Sequence, residues 1–359
     1  MFIVVFMLTF RHILLCPFAA LYRMAVGIRN FLYDYSFCSS FTAPVPVIAV
    51  GNITVGGTGK TPHIEYLISC FARTHTIAVL SRGYKRKTKG FVLAQTQSTA
   101  TEIGDEPRQI KTLYPDIVLA VDENRKRGIL QLLAINRSVN LILLDDAFQH
   151  RRVRPHCSIV LIDYSRPLSS DAILPAGMLR EHPRQLKRAT IVIITKTPAR
   201  CTADEKLRMI NDIQYYSSAP VFFSSFVYHH SVIPLFSGDS IPVNRLNEYS
   251  VLLLTGIAQP AGLIEFLTNQ SLSLYTLHYP DHHHYKASDM DAILKRFVKM
   301  DAEKKIIVTT SKDIARLRHI SIPDLLAGSI YFLPVRVEIC DGRGQELHLQ
   351  IQQKIRIDQ

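Results

Sequence analysis

One segment restricts the fold of this 359-residue chain more than any other: an apolar run over 45–50 that feeds Gly51-Asn52-Ile53-Thr54-Val55-Gly56-Gly57-Thr58-Gly59-Lys60-Thr61. Apolar residues then recur at Ile64, Leu67, Ile68 and Phe71, the spacing of one helix face. The pattern predicts a buried strand, a glycine-rich loop and a helix, a context in which backbone N–H groups and a helix N-terminus cradle phosphates. Lys60 is placed to reach the terminal phosphates, and the Thr61 hydroxyl to hold Mg²⁺. The usual G-x-x-x-x-G-K-[ST] pattern wants glycine where this chain has Thr54, but glycines at 56, 57 and 59 still let the backbone approach an anion. Thr54, Val55, Gly56, Gly57, Thr58, Gly59, Lys60 and Thr61 are therefore the expected nucleotide contacts. A glycine-rich turn with no ligand is the competing reading.

From residue 45 onward strands and helices alternate. Apolar runs at 45–50, 76–80, 116–121, 139–144, 158–163 and 190–195 read as strands, with helices between them. Continuous apolar strands separated by helices imply a parallel sheet covered on both faces, with ligands at the carboxyl ends of its strands. Lys60, Arg82, Asp122 and Asp145 all fall just past such ends. A polar helix starts near Cys201, an extended strand spans 220–227 and a turn 237–242. Strands at 250–255, 272–278, 305–310 and 329–335 and a helix at 260–267 suggest a second, smaller α/β/α unit. The expected division is an apolar helix over 1–35, a nucleotide-binding unit over 36–220, and a C-terminal unit with linker strands over 221–359.

Residues 1–10 are almost wholly apolar and 13–28 mostly so, broken by Arg11, His12, Pro17 and Arg23. No positive segment precedes Phe2, which argues against a signal peptide. A spanning helix would put Arg11 and His12 near the bilayer centre. A helix lying in the interface, with its arginines at headgroup level, suits the pattern better; a span and a core helix stay open. The net charge of +12 suggests an anionic partner: nucleic acid, phospholipid headgroups or a phosphorylated substrate. Nothing resembles a helix-turn-helix, zinc finger or RNA-recognition pattern, so no nucleic acid is expected. The six cysteines are scattered without a C-x-x-C pair, which indicates neither a zinc site nor a disulfide framework and suits a reducing compartment. No obligate protein partner is predicted.

Leu141-Ile142-Leu143-Leu144-Asp145-Asp146 is an apolar strand ending in two acids, where a phosphate-loop protein places its second Mg²⁺-directing carboxylate. Which of the two lies nearer the metal is open, and an acid at a strand end is often only a helix cap. Gln149 and His150 follow, suited to orienting a water or phosphate, or merely forming a turn. Gly104-Asp105-Glu106-Pro107 reads as a loop; its carboxylates are by composition more often solvated, or a helix N-cap, than catalytic. In Asp281-His282-His283-His284 consecutive side chains do not converge on one face, which disfavours one metal held by all three; one histidine oriented by a carboxylate is physically better, and an exposed polar loop stays open. Arg82, Lys85, Arg86, Lys87 and Lys89 form a basic run that fits a substrate phosphate, an anionic membrane surface or a plain solvated face.

In one order, residues 50–62, Leu-Ser-Arg-Gly-Tyr (80–84), Gly-Asp-Glu-Pro (104–107), Leu-Leu-Asp-Asp-Ala-Phe-Gln-His (143–150), Leu-Pro-Ala-Gly-Met-Leu-Arg-Glu (174–181), Pro-Asp-His-His (280–283) and Thr-Thr-Ser-Lys-Asp (309–313) resemble the tetraacyldisaccharide 4'-kinase family of lipid A biosynthesis. The resemblance runs from the apolar N-terminus to about residue 337. It implies an ATP- and Mg²⁺-dependent kinase that phosphorylates the 4'-hydroxyl of a lipid A disaccharide 1-phosphate precursor. It implies two α/β/α sandwiches with a two-stranded linker, the first a P-loop NTPase-type parallel sheet, and a peripheral or monotopic protein on the cytoplasmic face of the inner membrane. Asp105 falls on the family's general base and His282 on the histidine that assists it; Lys60 and Arg82 add positive contacts. Glu106 and Gln149 fall near the metal and phosphates, beside Thr61, Asp145 and Asp146. Two departures concern loop geometry: Ala147 stands where the family commonly has glycine, and His182 where it commonly has proline. The rival, a membrane-associated P-loop switch ATPase, needs a lysine just before Gly56-Gly57, where this chain has Val55.

Overall fold

The computed structural model describes residues 2–168, 171–257, 260–281, 283–318 and 320–356, with side chains from residue 15 onward. In chain order the strands are β1 (Val47–Asn52), β2 (Ile77–Ser81), β3 (Val92–Leu93), β4 (Val118–Val121), β5 (Leu141–Asp145), β6 (Cys157–Asp163), β7 (Ile191–Thr195), β8 (Val221–Tyr228), β9 (Ser231–Pro234), β10 (Ile241–Pro242), β11 (Ser250–Thr255), β12 (Ser273–His278), β13 (Lys305–Thr310), β14 (Ile330–Leu333) and β15 (Val335–Ile339). The α-helices are α1 (Phe2–Asp34), α2 (Lys60–Phe71), α3 (Ala100–Ile103), α4 (Asp105–Leu113), α5 (Arg125–Ile135), α6 (Ala203–Gln214), α7 (Ala261–Gln270), α8 (Ala287–Val298), α9 (Ser311–Leu317), α10 (Asp324–Ala327) and α11 (Gly344–Ile355).

Nine strands form the larger sheet in the order β15-β8-β7-β6-β1-β5-β2-β4-β3. From β8 to β4 every pair is parallel, and β15 and β3 add antiparallel edges. β1, β2, β5, β6 and β7 are buried along their whole length, as strands covered on both faces must be. Ile64, Leu67, Ile68 and Phe71 of α2 pack with Ile48, Val50 and Leu143 on one face. Ile129 and Leu132 of α5 pack with Leu80, Ala120 and Leu144 on the other. Each such side chain contributes roughly 1.5–3 kcal/mol on burial. With β5 on one side of β1 and β6 on the other, the connections diverge at the carboxyl end of β1, and a ligand crevice opens there.

The smaller sheet runs β10-β9-β14-β13-β11-β12, parallel from β14 to β12 with β9 and β10 as an antiparallel edge. The single run predicted over 329–335 is two strands. Pro334 has no N–H to continue a ladder, and across it the chain leaves β14 in the smaller sheet for β15 in the larger. Likewise β8 pairs with β7 of the larger sheet, so both linker strands and the packing face of α11 (Leu347, Ile351, Ile355) belong to the larger core. A second difference concerns 104–107, expected as a loop: Asp105, Glu106 and Pro107 open α4, whose first turn tolerates a proline because that N–H has no intrahelical partner.

Over its described side chains, α1 packs on the larger unit through one face. Tyr22 donates to the Arg180 carbonyl (3.1 Å), Arg29 pairs with the buried Glu181, Asn30 is buried, and Asp34 pairs with Arg151 (2.7 Å) and Lys187 (2.9 Å). The other face exposes Phe18, Leu21, Met24, Ile28, Phe31 and Tyr35 in one helical row. Among the described residues no helix is long and apolar enough to cross a membrane.

Candidate functional site: a phosphate loop facing two acidic strand ends

The loop after β1 explains its missing glycine. Thr54 is buried and bridges Leu179 in extended conformation; Val55 N–H donates to the Met178 carbonyl (2.8 Å) and Arg180 N–H to the Ile53 carbonyl (2.8 Å). A β-branched residue suits that position. The left-handed turns come later, at Gly56 (φ 107°) and at Gly59 (φ 86°), the residue before α2. A Cβ on Gly59 would also meet the Phe226 ring at 2.5 Å. Asn52 Nδ2 donates to Thr58 Oγ1 (2.9 Å), and Thr195 Oγ1 donates to the Thr58 carbonyl (2.9 Å), so two strand ends hold the loop. His63, one turn into α2, was not foreseen. Its Nδ1 donates to the Gly59 carbonyl (2.7 Å), which leaves Nε2 to accept from Ser224 Oγ (3.0 Å). Burial pushes its pKa down to about 4, so it is a neutral brace.

Lys60 and Thr61 open α2, and Lys60 Nζ lies 3.7 Å from Asp146 Oδ1. Asp145, the last residue of β5, is buried: Ser81 Oγ donates to its Oδ2 (2.9 Å), while Oδ1 is buried without a partner. Burial first, then the Asp146 charge and also that of Glu106, raises the Asp145 pKa to about 6. Asp146 adopts a left-handed conformation (φ 49°), which an aspartate tolerates and which turns it away from the strand. Burial opposes its ionisation, yet Lys60 and Arg180 (2.8 Å) hold its pKa below the ordinary carboxylate value. Gln149 Nε2 donates to the Asn52 carbonyl (2.9 Å) and its Oε1 accepts from Arg180 (3.4 Å), so its amide braces the end of β1. Lys60, Asp146, Arg180 and Gln149 thus form one connected set at the carboxyl ends of β1 and β5, with Asp145 beside them, Glu106 near enough to raise its pKa, and Thr61 following Lys60 in the first turn of α2. No three His, Cys, Asp or Glu side chains converge as a metal cage among the described residues. Mg²⁺ takes one or two carboxylates, a hydroxyl, waters and substrate phosphates, and the unpartnered Asp145 Oδ1 is an acceptor that fits such an ion.

Asp105 sits in the first turn of α4, and its Oδ2 is 2.9 Å from Arg316 Nη2 of α9. His282 lies outside the described residues; its neighbour His283 pairs with Asp289 (2.9 Å). Arg82, just past β2, is exposed, and with Arg125, Arg152 and Arg29 it forms a positive rim around His150. Burial first, then those arginines, pushes the His150 pKa down to about 4, and its Nε2 is buried without a partner. Asp122, another strand-end acid, serves the fold by pairing with Arg127 (2.8 Å) and accepting from Asn124 N–H. Arg125 donates to the Asp145 carbonyl (3.0 Å) from a fully buried position. Its only sequence signal was its place at the start of a helix after an acidic strand end; Arg316 had only its nearness to Thr-Thr-Ser-Lys-Asp. Both departures from the family pattern are absorbed locally. Ala147 is buried and donates its N–H to the Val50 carbonyl (3.3 Å), and His182 Nδ1 accepts from Arg184 N–H at the start of a 3₁₀ turn whose first residue is Pro183.

Residues 11–356 match the family model described as tetraacyldisaccharide-1-P 4'-kinase. The tetraacyldisaccharide 4'-kinase of Bacteroides thetaiotaomicron is 43% identical over 351 residues, covering 95% of this chain and 92% of the relative. That of Phocaeicola vulgatus is 41% identical over 347 residues, covering 95% and 94%. Among solved structures, LpxK from Aquifex aeolicus in complex with ATP superposes with a TM-score of 0.76 at 27% identity, covering 96% of this chain and 99% of that one. Strand-end carboxylates, a lysine-bearing glycine loop and whole-length similarity agree: the chain belongs to the tetraacyldisaccharide-1-P 4'-kinase family.

Proposed function

We propose that this chain transfers the γ-phosphate of ATP to the 4'-hydroxyl of a tetraacyldisaccharide 1-phosphate, with Asp105 as general base. The observation that carries the reading is the meeting of Lys60, Thr61 and the Asp145–Asp146 pair in one crevice, with Asp105 opening a helix beside it. The amides of 56–61 and Lys60 hold the β- and γ-phosphates. Thr61 and Asp145 would hold Mg²⁺, with Asp146, Glu106 and Gln149 as further candidates. Bound there, Mg²⁺ neutralises charge on the phosphates during transfer. Asp146 is already shared between Lys60 and Arg180, so it orients the lysine while Asp145 offers its open oxygen.

A sugar hydroxyl is a weak nucleophile at neutral pH. Asp105 accepts its proton, assisted by His282, while Lys60 stabilises the charge that builds on the transferring group. The exposed Arg82 and Arg152, with the unpartnered Nε2 of the neutral His150 beside them, form a rim suited to the acceptor's own 1-phosphate. The apolar row on α1 seats the protein in the membrane interface on the cytoplasmic face of the inner membrane, where such an acceptor resides. Closure of the two sheets over the acceptor excludes water from the transfer.

The deciding experiment is transfer of labelled γ-phosphate from ATP to a disaccharide lipid acceptor, with and without Mg²⁺. The reading requires Mg²⁺-dependent transfer that Asp105→Ala removes while ATP still binds. ATP hydrolysis without a lipid product, indifferent to Asp105, would overturn it in favour of a switch ATPase.

A further inference from the structure

We propose that Arg316 is a positioning residue for the transfer step: from α9 of the smaller sheet it fixes the direction of the Asp105 carboxylate, so the base is aimed only while the two sheets are docked. The inference rests on Asp105 being the general base.

The guanidinium is itself tightly held. Nη2 contacts Asp105 Oδ2 at 2.9 Å, while Nη1 donates to Asp313 Oδ1 (3.3 Å) and to the Gly256 carbonyl (3.4 Å). Asp313 is fully buried, and its Oδ2 accepts from Gly256 N–H (3.1 Å) and Thr310 Oγ1 (2.7 Å). Thr310 Oγ1 in turn caps α9 by accepting from Asp313 N–H (3.1 Å). The chain of contacts therefore starts at the carboxyl ends of β11 and β13 and ends on Asp105. A planar, multi-donor guanidinium set in this way carries direction as well as charge, which a lysine ammonium does not.

Burial makes the tie stringent. The Arg316 side chain is 3% exposed and that of Asp105 14%. The two residues are 211 positions apart, so the contact exists only in the docked arrangement, along the face where α4 meets α9. An attacking hydroxyl loses rate steeply when the base accepting its proton is misaimed. Displacing α9 would leave Asp105 without its guanidinium and Arg316 partly uncompensated, which disfavours a half-open state with an aimed base. Phosphoryl transfer is thereby coupled to the seating of the smaller sheet through one residue.

The experiment measures kcat and KM for ATP in lipid phosphorylation, together with ATP affinity and Tm, for wild type, Arg316→Gln, Arg316→Lys, Asp313→Asn, Asp105→Ala and the Asp105→Ala/Arg316→Gln double variant. Arg316→Gln should lower kcat by roughly 10–100-fold, less than the roughly 10²–10⁴-fold that the proton-accepting group itself supplies, with KM for ATP and ATP affinity unchanged. Arg316→Lys should recover part of the loss. The double variant should be no slower than Asp105→Ala, because the two act as one unit. Asp313→Asn, which keeps both Arg316 and Asp105 and slackens only the anchor, should lower kcat in the same sense by less. It carries the test if Arg316→Gln fails to fold. Wild-type kcat in Arg316→Gln or in Asp313→Asn overturns the proposal. So does a double variant slower than Asp105→Ala by the full Arg316→Gln factor, or a parallel fall in kcat, ATP affinity and Tm that lysine does not rescue. Absence of transfer in the wild type would instead refute the kinase reading itself.

Discussion

Replacing Asp145 by asparagine should stabilise the ligand-free protein while removing activity, and the size of the gain follows from the site. Its carboxyl is held about two units above the ordinary 3.8, at about 6, chiefly by burial and then by Asp146. At about 1.36 kcal/mol per unit, keeping it ionised at pH 8 costs the folded state on the order of 3 kcal/mol. Asparagine keeps an acceptor for Ser81 Oγ but turns the open Oδ1 position into a buried donor without a partner, which costs roughly 1–2 kcal/mol. A net gain of about 1–2 kcal/mol remains at pH 8, a rise in Tm of roughly 1–3 °C for a chain of 359 residues. The folded-state pKa is raised, so the penalty exists in full above about 6, shrinks as pH falls through 6, and vanishes below the ordinary value of 3.8. Thermal unfolding of wild type and Asp145→Asn at pH 8 and pH 5, without nucleotide or metal, reads this directly. The variant should be more stable at pH 8 and lose most of that advantage at pH 5. A variant less stable than wild type at pH 8, or equally advantaged at both, refutes the reasoning. With MgATP added the order should reverse, because only the wild type gains from the ion.

Asp105→Ala should cut phosphoryl transfer by roughly 10²–10⁴-fold and leave ATP affinity within twofold, as read by equilibrium binding beside the labelled-phosphate assay. Gly59→Ala should weaken ATP binding and lower stability by at least about 1 kcal/mol, because the left-handed backbone and the Phe226 ring both resist a Cβ; an unchanged affinity and Tm would contradict the loop geometry. Serine at Phe18, Leu21 and Ile28 together should abolish co-sedimentation with anionic vesicles and leave Tm nearly unchanged, since all three side chains are mostly exposed. Persistent binding would move the membrane contact elsewhere. His63→Gln should lower ATP affinity without any change in its pH dependence between 6 and 8, because the imidazole is neutral throughout that range.

What the sequence made legible was local and periodic. β1, the glycine loop and α2 were readable because apolar spacing and left-handed turns leave marks within a dozen residues. Asp145 and Asp146 were readable because an apolar run ended on them. The fate of 329–339 was not, because whether Pro334 ends a strand or separates two sheets depends on β8, more than a hundred residues away. α4 was hidden by a helix start that looks like a turn, Gly-Asp-Glu-Pro. His63 read as one more helix residue, and only Ser224 on β8 makes it a brace. Arg316 needed Asp105, a residue brought near by the folded arrangement alone. Thr54, which broke the motif, is explained by its bridge to Leu179, another long-range partner.

The way α1 is fastened bears on how this protein can be handled. Its inward face supplies Arg29 to the buried Glu181, Asp34 to Arg151 and Lys187, and the Tyr22 hydroxyl to the carbonyl of Arg180, whose guanidinium grips Asp146. Clipping the first 35 residues to obtain a detergent-free preparation would strip Glu181 of one of its two arginines and unfasten the backbone beside Asp146. Such a shortened enzyme would differ from the native one in turnover, and assays on it would understate what the intact chain does.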